Sequence, residues 1–205
     1  MMTKPMMTAI AIFFSATMAA DAASVSRSYS YFTIGGRTLG EIETELQKRG
    51  PELGTTGSRH PGATRMAFTT RIGYQEENGR CSVSQASVDI AAEVFLPRWR
   101  NRGSAEIETT LMWDTLSVDI RRHEEGHIVI ARQHALDIER ALLDIRNLAN
   151  CDSAATMAEN TSKKMLAEHD AEQARYDNIE SINFESRMLR LLDYRLQQIE
   201  DGRQP

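Results

Sequence analysis

IETTLMWDTLSVDIRRHEEGHIVIARQHALDIERALLDIRNL, residues 107–148, runs without a proline and repeats apolar side chains at helical spacing from Ile107 to Leu148. Ser104 stands ahead of it as a cap, with Glu106 in the first turn. The stretch predicts one helix of about 44 residues, on the order of 65 Å long, if Gly126 does not bend it. Asn150 offers a stop, and Asp152 or Ser153 a cap for a second helix running to Tyr176 and onward toward Ile199. The C-terminal half therefore reads as a long antiparallel helical hairpin.

Toward the N-terminus the period changes. SYSYFTI, residues 28–34, alternates as a half-buried strand and ends at Gly35-Gly36. LGEIETELQKRG carries Leu39, Ile42 and Leu46 at helical spacing and stops at Gly50-Pro51. RMAFTTRIGY alternates again, Asn78-Gly79 is a two-residue hairpin turn, and CSVSQASVDIAAEVFLP returns as a second strand. The fold class is α+β, a small N-terminal β-α-β-β unit followed by the hairpin. Residues 1–22 read as a signal peptide, 23–103 as the strand-rich region and 104–205 as the helical region, with 23–205 forming one domain.

The leader reading rests on MMTAIAIFFSATMAA, an apolar run too short to span a bilayer, followed by the small-x-small pattern Ala20-Asp21-Ala22. Cleavage is expected after Ala22; a buried N-terminal helix is the alternative. No later segment is apolar enough to cross a membrane, so the expected mature protein is periplasmic or secreted. Its two cysteines, Cys81 and Cys151, then meet an oxidising compartment, and one disulfide between them is expected rather than two free thiols. Closing a loop of about 70 residues stabilises by roughly 4 kcal/mol on the chain-entropy account. A formal net charge of −5, with 26% charged residues, argues against a nucleic-acid surface. The short cluster PRWRNR, residues 97–102, reads as a solvated loop.

Inside the long helix lies HEEGH. Residues four apart on a helix sit about 40° apart in azimuth and one turn apart in height, so His123 and His127 can offer two imidazole nitrogens to one ion. Glu124, about 100° round, can act as general base on a metal-bound water. His134 faces nearly the same way as His127 but sits about 10 Å further along the axis, out of reach of the same ion. If the chain folds back near Asn150-Cys151, the residues opposite the two histidines fall near Ala174 to Asn178. Asp177 is the expected third ligand, with Glu180 the alternative, Glu172 just before that span and His169 about two turns off the mark.

The order of landmarks is more specific than HEEGH alone. It runs from YSYFTIGG through Gly50-Pro51, Cys81 after a hairpin, LPRW at Leu96 to Trp99, Trp113, HEEGH and Cys151 to AEQARYD. In these the chain resembles a family of secreted bacterial proteins regarded as zinc-dependent proteases and long catalogued as a domain of unknown function. The resemblance implies a metallopeptidase with His123 and His127 as zinc ligands and Glu124 as catalytic base. The family pattern continues after Tyr-Asp to a threonine and a His-Gly pair; here Ile182 and Asn183 stand in its place. Either Asp177 or Glu180 then substitutes, or the site is weakened or inactive. The expected function is an exported zinc (Zn2+) metallopeptidase acting on peptides or proteins. The alternatives are a non-catalytic binding or envelope-assembly module with a degenerate site, and a periplasmic metal-binding protein without hydrolysis. The sequence specifies no oligomeric state.

Overall fold

The computed structural model describes residues 23–52 and 59–203. The expected leader, residues 1–22, lies outside them. Strand β1 (Ser24–Ile34) is followed by helix α1 (Leu39–Arg49) and the hairpin of β2 (Ala63–Glu77) and β3 (Arg80–Trp99). Helices α2 (Ile107–Leu143), α3 (Cys151–Ile182) and α4 (Phe184–Glu200) complete the chain. The sheet has the order β1-β3-β2, with β1 parallel and β2 antiparallel to the central β3.

Local chemistry explains most of these elements. Thr38 and Glu41 form a capping box at the start of α1. Asn78 and Gly79 both take positive φ, 53° and 71°, as the mirror-image turn of a tight hairpin requires. Along β3 the buried side chains alternate as Val88, Ile90, Ala92, Val94 and Leu96. Nearer the hairpin the phase is opposite, with Cys81 and Val83 inward. The slip has a cause: Gly73 pairs with Gln85 and Tyr74 with Val83, which leaves Ser84 as a bulge. Pro97 can close a central strand because β2 begins at the Ala63–Phe95 pair, so among the described residues no strand pairs with β3 on that side beyond it.

The inward face of the sheet receives α2. Ile120, Ile128, Ala131, Ala135, Ile138 and Leu142 are buried at spacings of three, four and eight residues, a stripe one helix face wide. Ala154 and Ala158 of α3, both fully buried, close the same core. A second cluster packs Ile42 and Leu46 of α1 against Ile34, Trp99 and Trp113. Among the described residues no helix is long and apolar enough to cross a membrane.

The helix boundaries depart from the sequence reading. Instead of about 44 residues, α2 has 37, running unbroken through Gly126. Ser104 does not cap it; Ser104 closes a short 3-10 turn, and Glu106 is the cap residue, with no side-chain bond. At the other end Ile145 and Leu148 leave the helix to pair with β3. The Val83 N–H donates to the Ile145 carbonyl at 2.9 Å, and Cys81 and Leu148 exchange bonds of 2.9 and 2.8 Å. They take the side of β3 that β1 has not reached, since the β1 pairing starts at Asp89. Asn147, with φ 58°, turns the chain, and Asn150 rather than Asp152 or Ser153 caps α3, accepting from the Ser153 N–H at 2.8 Å. The second helix breaks at Asn183, so α4 is separate. Nor is PRWRNR a solvated loop throughout: Trp99 is a buried end of β3, and Arg102 is paired with Asp114 at 2.6 Å.

Cys81 and Cys151 are disulfide-bonded, 70 residues apart, at the point where the turn meets β3. Cys151→Ser is expected to lower the unfolding free energy by about 2–4 kcal/mol. Equilibrium urea denaturation reads this directly, and an unchanged midpoint would remove the bond from the account of stability.

Candidate metal centre

The seam between α2 and α3 changes character along its length. At its closed end Ala131, Ala135, Ile138, Ala154 and Ala158 meet. Toward the open end the facing residues are His127, His123 and Asp119 on α2, and His169, Gln173, Tyr176 and Glu180 on α3. There the seam opens into a cleft of about 490 Å³ between the two helices and β2.

In this cleft three side chains converge. His123 Nε2 and His127 Nε2 are 3.2 Å apart, and Asp177 Oδ1 lies 3.2 Å from the first and 3.1 Å from the second. The expectation of Asp177 opposite the histidines thus matches the geometry: the trio offers three ligand atoms within 4.8 Å of one another. A tetrahedral zinc with bonds of about 2.0–2.1 Å places its ligand atoms about 3.3 Å apart, so the spacing suits that ion. Two imidazoles and a carboxylate are also a donor set zinc accepts while keeping a fourth position open.

The other candidates lie elsewhere. Glu180 points to Arg122 and to Arg187, 3.3 Å away, and reaches the far nitrogen of His123, Nδ1, only at 3.7 Å. His134 is bonded to Glu172 at 2.7 Å, which takes both out of the trio. Ile182, where the resemblance implies a histidine, is the last residue of α3 and 73% exposed.

Glu124 occupies an unexpected place. It continues the buried stripe between Ile120 and Ile128 and is only 4% exposed. Thr64 of β2 donates its hydroxyl to Glu124 Oε2 at 2.9 Å. Gly62 makes the approach possible, since a Cβ there would stand 2.7 Å from Glu124 Oε1. Burial raises the Glu124 carboxyl above its ordinary pKa, with the Asp177 charge adding to it, while the Thr64 hydrogen bond and His127 pull the other way. Burial also lowers His123, as does the neighbouring His127, against the pull of Asp177 and Glu180. Neutral imidazole, the form that binds metals, is thereby favoured.

Around the trio sits a shell of residues whose roles the sequence reading did not assign. The Tyr176 ring stacks on His123 with centroids 5.1 Å apart and planes 13° from parallel. It fits because Gly126 has no side chain: a methyl group there would overlap the Tyr176 hydroxyl. Behind His123, Asp119 is 3% exposed and takes a two-pronged ion pair from Arg187 of α4, at 2.8 and 3.1 Å, plus Arg122 at 3.0 Å. Burial alone would raise the Asp119 carboxyl; the bonds from Arg187 and Arg122 outweigh it and hold it below the ordinary value. One signal was available: His169, Gln173, Tyr176 and Glu180 recur at three- and four-residue spacing, a polar face on α3 that repeats the period of its apolar one.

The chain belongs to the family described as bacterial protein of unknown function (DUF922), which it matches over residues 29–184. No curated protein and no solved structure matches it.

Three substitutions test the centre. Asp177→Ala is expected to weaken zinc binding by more than the roughly 10–100-fold of an outer partner, whereas His134→Ala should leave it unchanged. Competition against a chromophoric chelator measures both, and a loss with His134→Ala alone would break the straight-helix geometry. Gly126→Ala should cost about 1–3 kcal/mol by overpacking and displace Tyr176 from His123. Thermal unfolding of the metal-free protein reports the first effect and the tyrosine fluorescence the second.

Proposed function

We propose that this DUF922 member is an exported zinc-dependent metallopeptidase, with His123, His127 and Asp177 as ligands and Glu124 as the catalytic base. The observation that carries the reading is the convergence of two imidazole nitrogens and a carboxylate oxygen beside a buried carboxylate, in a cleft between α2, α3 and β2. Zinc bound there would polarise the scissile carbonyl and lower the pKa of a bound water. Glu124 would take the proton from the attacking water and pass it to the leaving amine. It lines the same cleft as His123, His127 and Asp177, which puts the base on the side where such a water would sit. Thr64 keeps the carboxylate on the cleft side of the helix. Periplasmic or secreted location is part of the proposal, and the disulfide supports it.

Two features favour a second reading, a non-catalytic binding or envelope-assembly module on the same scaffold. Ile182 and Asn183 stand where the resemblance implies a His-Gly pair, and the carboxylate in the trio, Asp177, is 55% exposed.

Glu124→Gln separates the two. It keeps the size of the side chain and should retain zinc and fold, while peptide hydrolysis falls by about 10²-fold or more, the scale of a general base. Glu125→Gln should be tolerated, since Glu125 faces Tyr29, whose hydroxyl donates to it at 3.1 Å. Equal cleavage by Glu124→Gln and wild type would end the peptidase mechanism. Zinc-loaded wild type that cleaves nothing across a broad peptide library would favour the binding module.

A further inference from the structure

His127 presents Nε2 to the trio, and a chain of three residues on α3 explains why. Gln173 Oε1 lies 2.5 Å from His127 Nδ1. The Gln173 amide nitrogen lies 3.0 Å from the backbone carbonyl of His127 and 2.8 Å from His169 Nε2. His169, 4% exposed, has its Nδ1 3.0 Å from Asp170 Oδ1, and its ring meets the edge of Phe68 at 4.9 Å between centroids.

With both imidazoles neutral, the hydrogen count along this chain has one solution. A backbone carbonyl only accepts, so the amide group facing the His127 carbonyl must be the NH2 end. That fixes the orientation of Gln173, which crystallographic density alone rarely does. An amide nitrogen has two hydrogens and no lone pair. The first goes to the His127 carbonyl; the second needs an acceptor, so His169 Nε2 carries no hydrogen. His169 then holds its hydrogen on Nδ1 and donates it to Asp170. At the other end the amide oxygen only accepts, so His127 Nδ1 is the protonated nitrogen. The lone pair of His127 is left on Nε2, facing His123 Nε2 and Asp177 Oδ1.

We infer that Gln173, oriented by the His127 carbonyl and backed by His169 and Asp170, is the positioning residue that holds His127 as an Nε2 metal ligand. The assignment rests on the metal reading for its purpose but not for its geometry. It also separates the two histidines by how they are held. His127 is fixed by a hydrogen bond at its remote nitrogen, whereas His123 is held by stacking on Tyr176, with Glu180 at 3.7 Å. Partners of the first kind fix both ring orientation and tautomer, and their removal typically costs about 10–100-fold in metal affinity.

The test reads tautomer and affinity separately. Long-range proton–nitrogen correlation spectra of the metal-free wild type, at mildly alkaline pH, should show His127 and His169 both protonated on Nδ1. In Gln173→Leu, His127 should shift toward the Nε2-protonated form that free imidazole side chains prefer. With cobalt(II) as the probe, Gln173→Leu should bind about 10–100-fold more weakly than wild type. Gln173→Glu removes the amide hydrogens that the His127 carbonyl and His169 Nε2 accept, so it should not restore wild-type affinity; Glu172→Gln, one residue away, should lose nothing. Finding His127 protonated on Nε2 in the wild type overturns the inference, as does a Gln173→Leu variant that binds cobalt as tightly as wild type. Wild type that binds no cobalt yet shows both Nδ1 tautomers would refute the metal reading and leave the positioning chain standing.

Discussion

Everything at the candidate centre depends on where the chain turns between α2 and α3. The turn is set by pairing rather than by helix chemistry: Ile145 and Leu148 bond to Val83 and Cys81 of β3, and the Cys81–Cys151 bond fastens the first residue of α3 to the same strand. With the base of the hairpin held to the sheet, the register of α3 against α2 follows by rigid geometry. A slip of one residue there would rotate α3 by about 100° and carry Asp177 off the face that meets His123 and His127. The opposite end is held by charge, where Arg187 of α4 pairs with the buried Asp119 and with Glu180. A hairpin fastened at both ends keeps the three ligand atoms together without any of them belonging to the apolar core.

Glu124 shows what the site costs. A position between Ile120 and Ile128 on the inward stripe of α2 is one where a leucine would stabilise the fold; the chain places a carboxylate there and gives it a single hydroxyl partner. Burial of a charge with so little compensation is destabilising, which is why buried carboxyls titrate above their usual range. Such a departure from the pattern marks chemistry more reliably than the histidines do, since histidines on a helix flank can be merely solvated. Asp119 and Glu139 break the same stripe, but each is structurally employed: the first by two arginines, the second by accepting the Val88 N–H at 2.8 Å.

Local elements were legible because their signals are local. Thr38 and Glu41 box the start of α1, Asn78-Gly79 demands positive φ, and HEEGH reads off one turn of helix. Asp177 was within reach for a different reason: once two helices fold back at a known residue, counting outward from the turn finds opposite partners. What failed was the end of α2. Ile145 and Leu148 keep helical spacing with Leu142, so periodicity alone extends the helix, and only the vacant side of β3 reveals that they serve a sheet instead. The two-residue alternation of β3 likewise hides its slip at Ser84, since Cys81 and Val83 look like one phase and Val88 onward like another strand. The supporting shell shows in the sequence only as a polar face on α3, His169, Gln173, Tyr176 and Glu180 at three- and four-residue spacing, with no sign of what each side chain meets. Nothing in AEQARYD says that its glutamine bonds a histidine 46 positions earlier or that its tyrosine stacks on another.

The contact between Gly126 and Tyr176 sets a rule for other members of the family. The hydroxyl of the tyrosine occupies the space a side chain at Gly126 would need, and its ring supports the first histidine of the motif. The two positions are therefore spatially one choice. A larger residue at Gly126 in this chain would displace the Tyr176 ring and leave His123 without its stacking partner. Read in this way, the motif spells HExGH with a tyrosine one residue before the aspartate. An alignment that separates members by the glycine should separate them by the tyrosine as well.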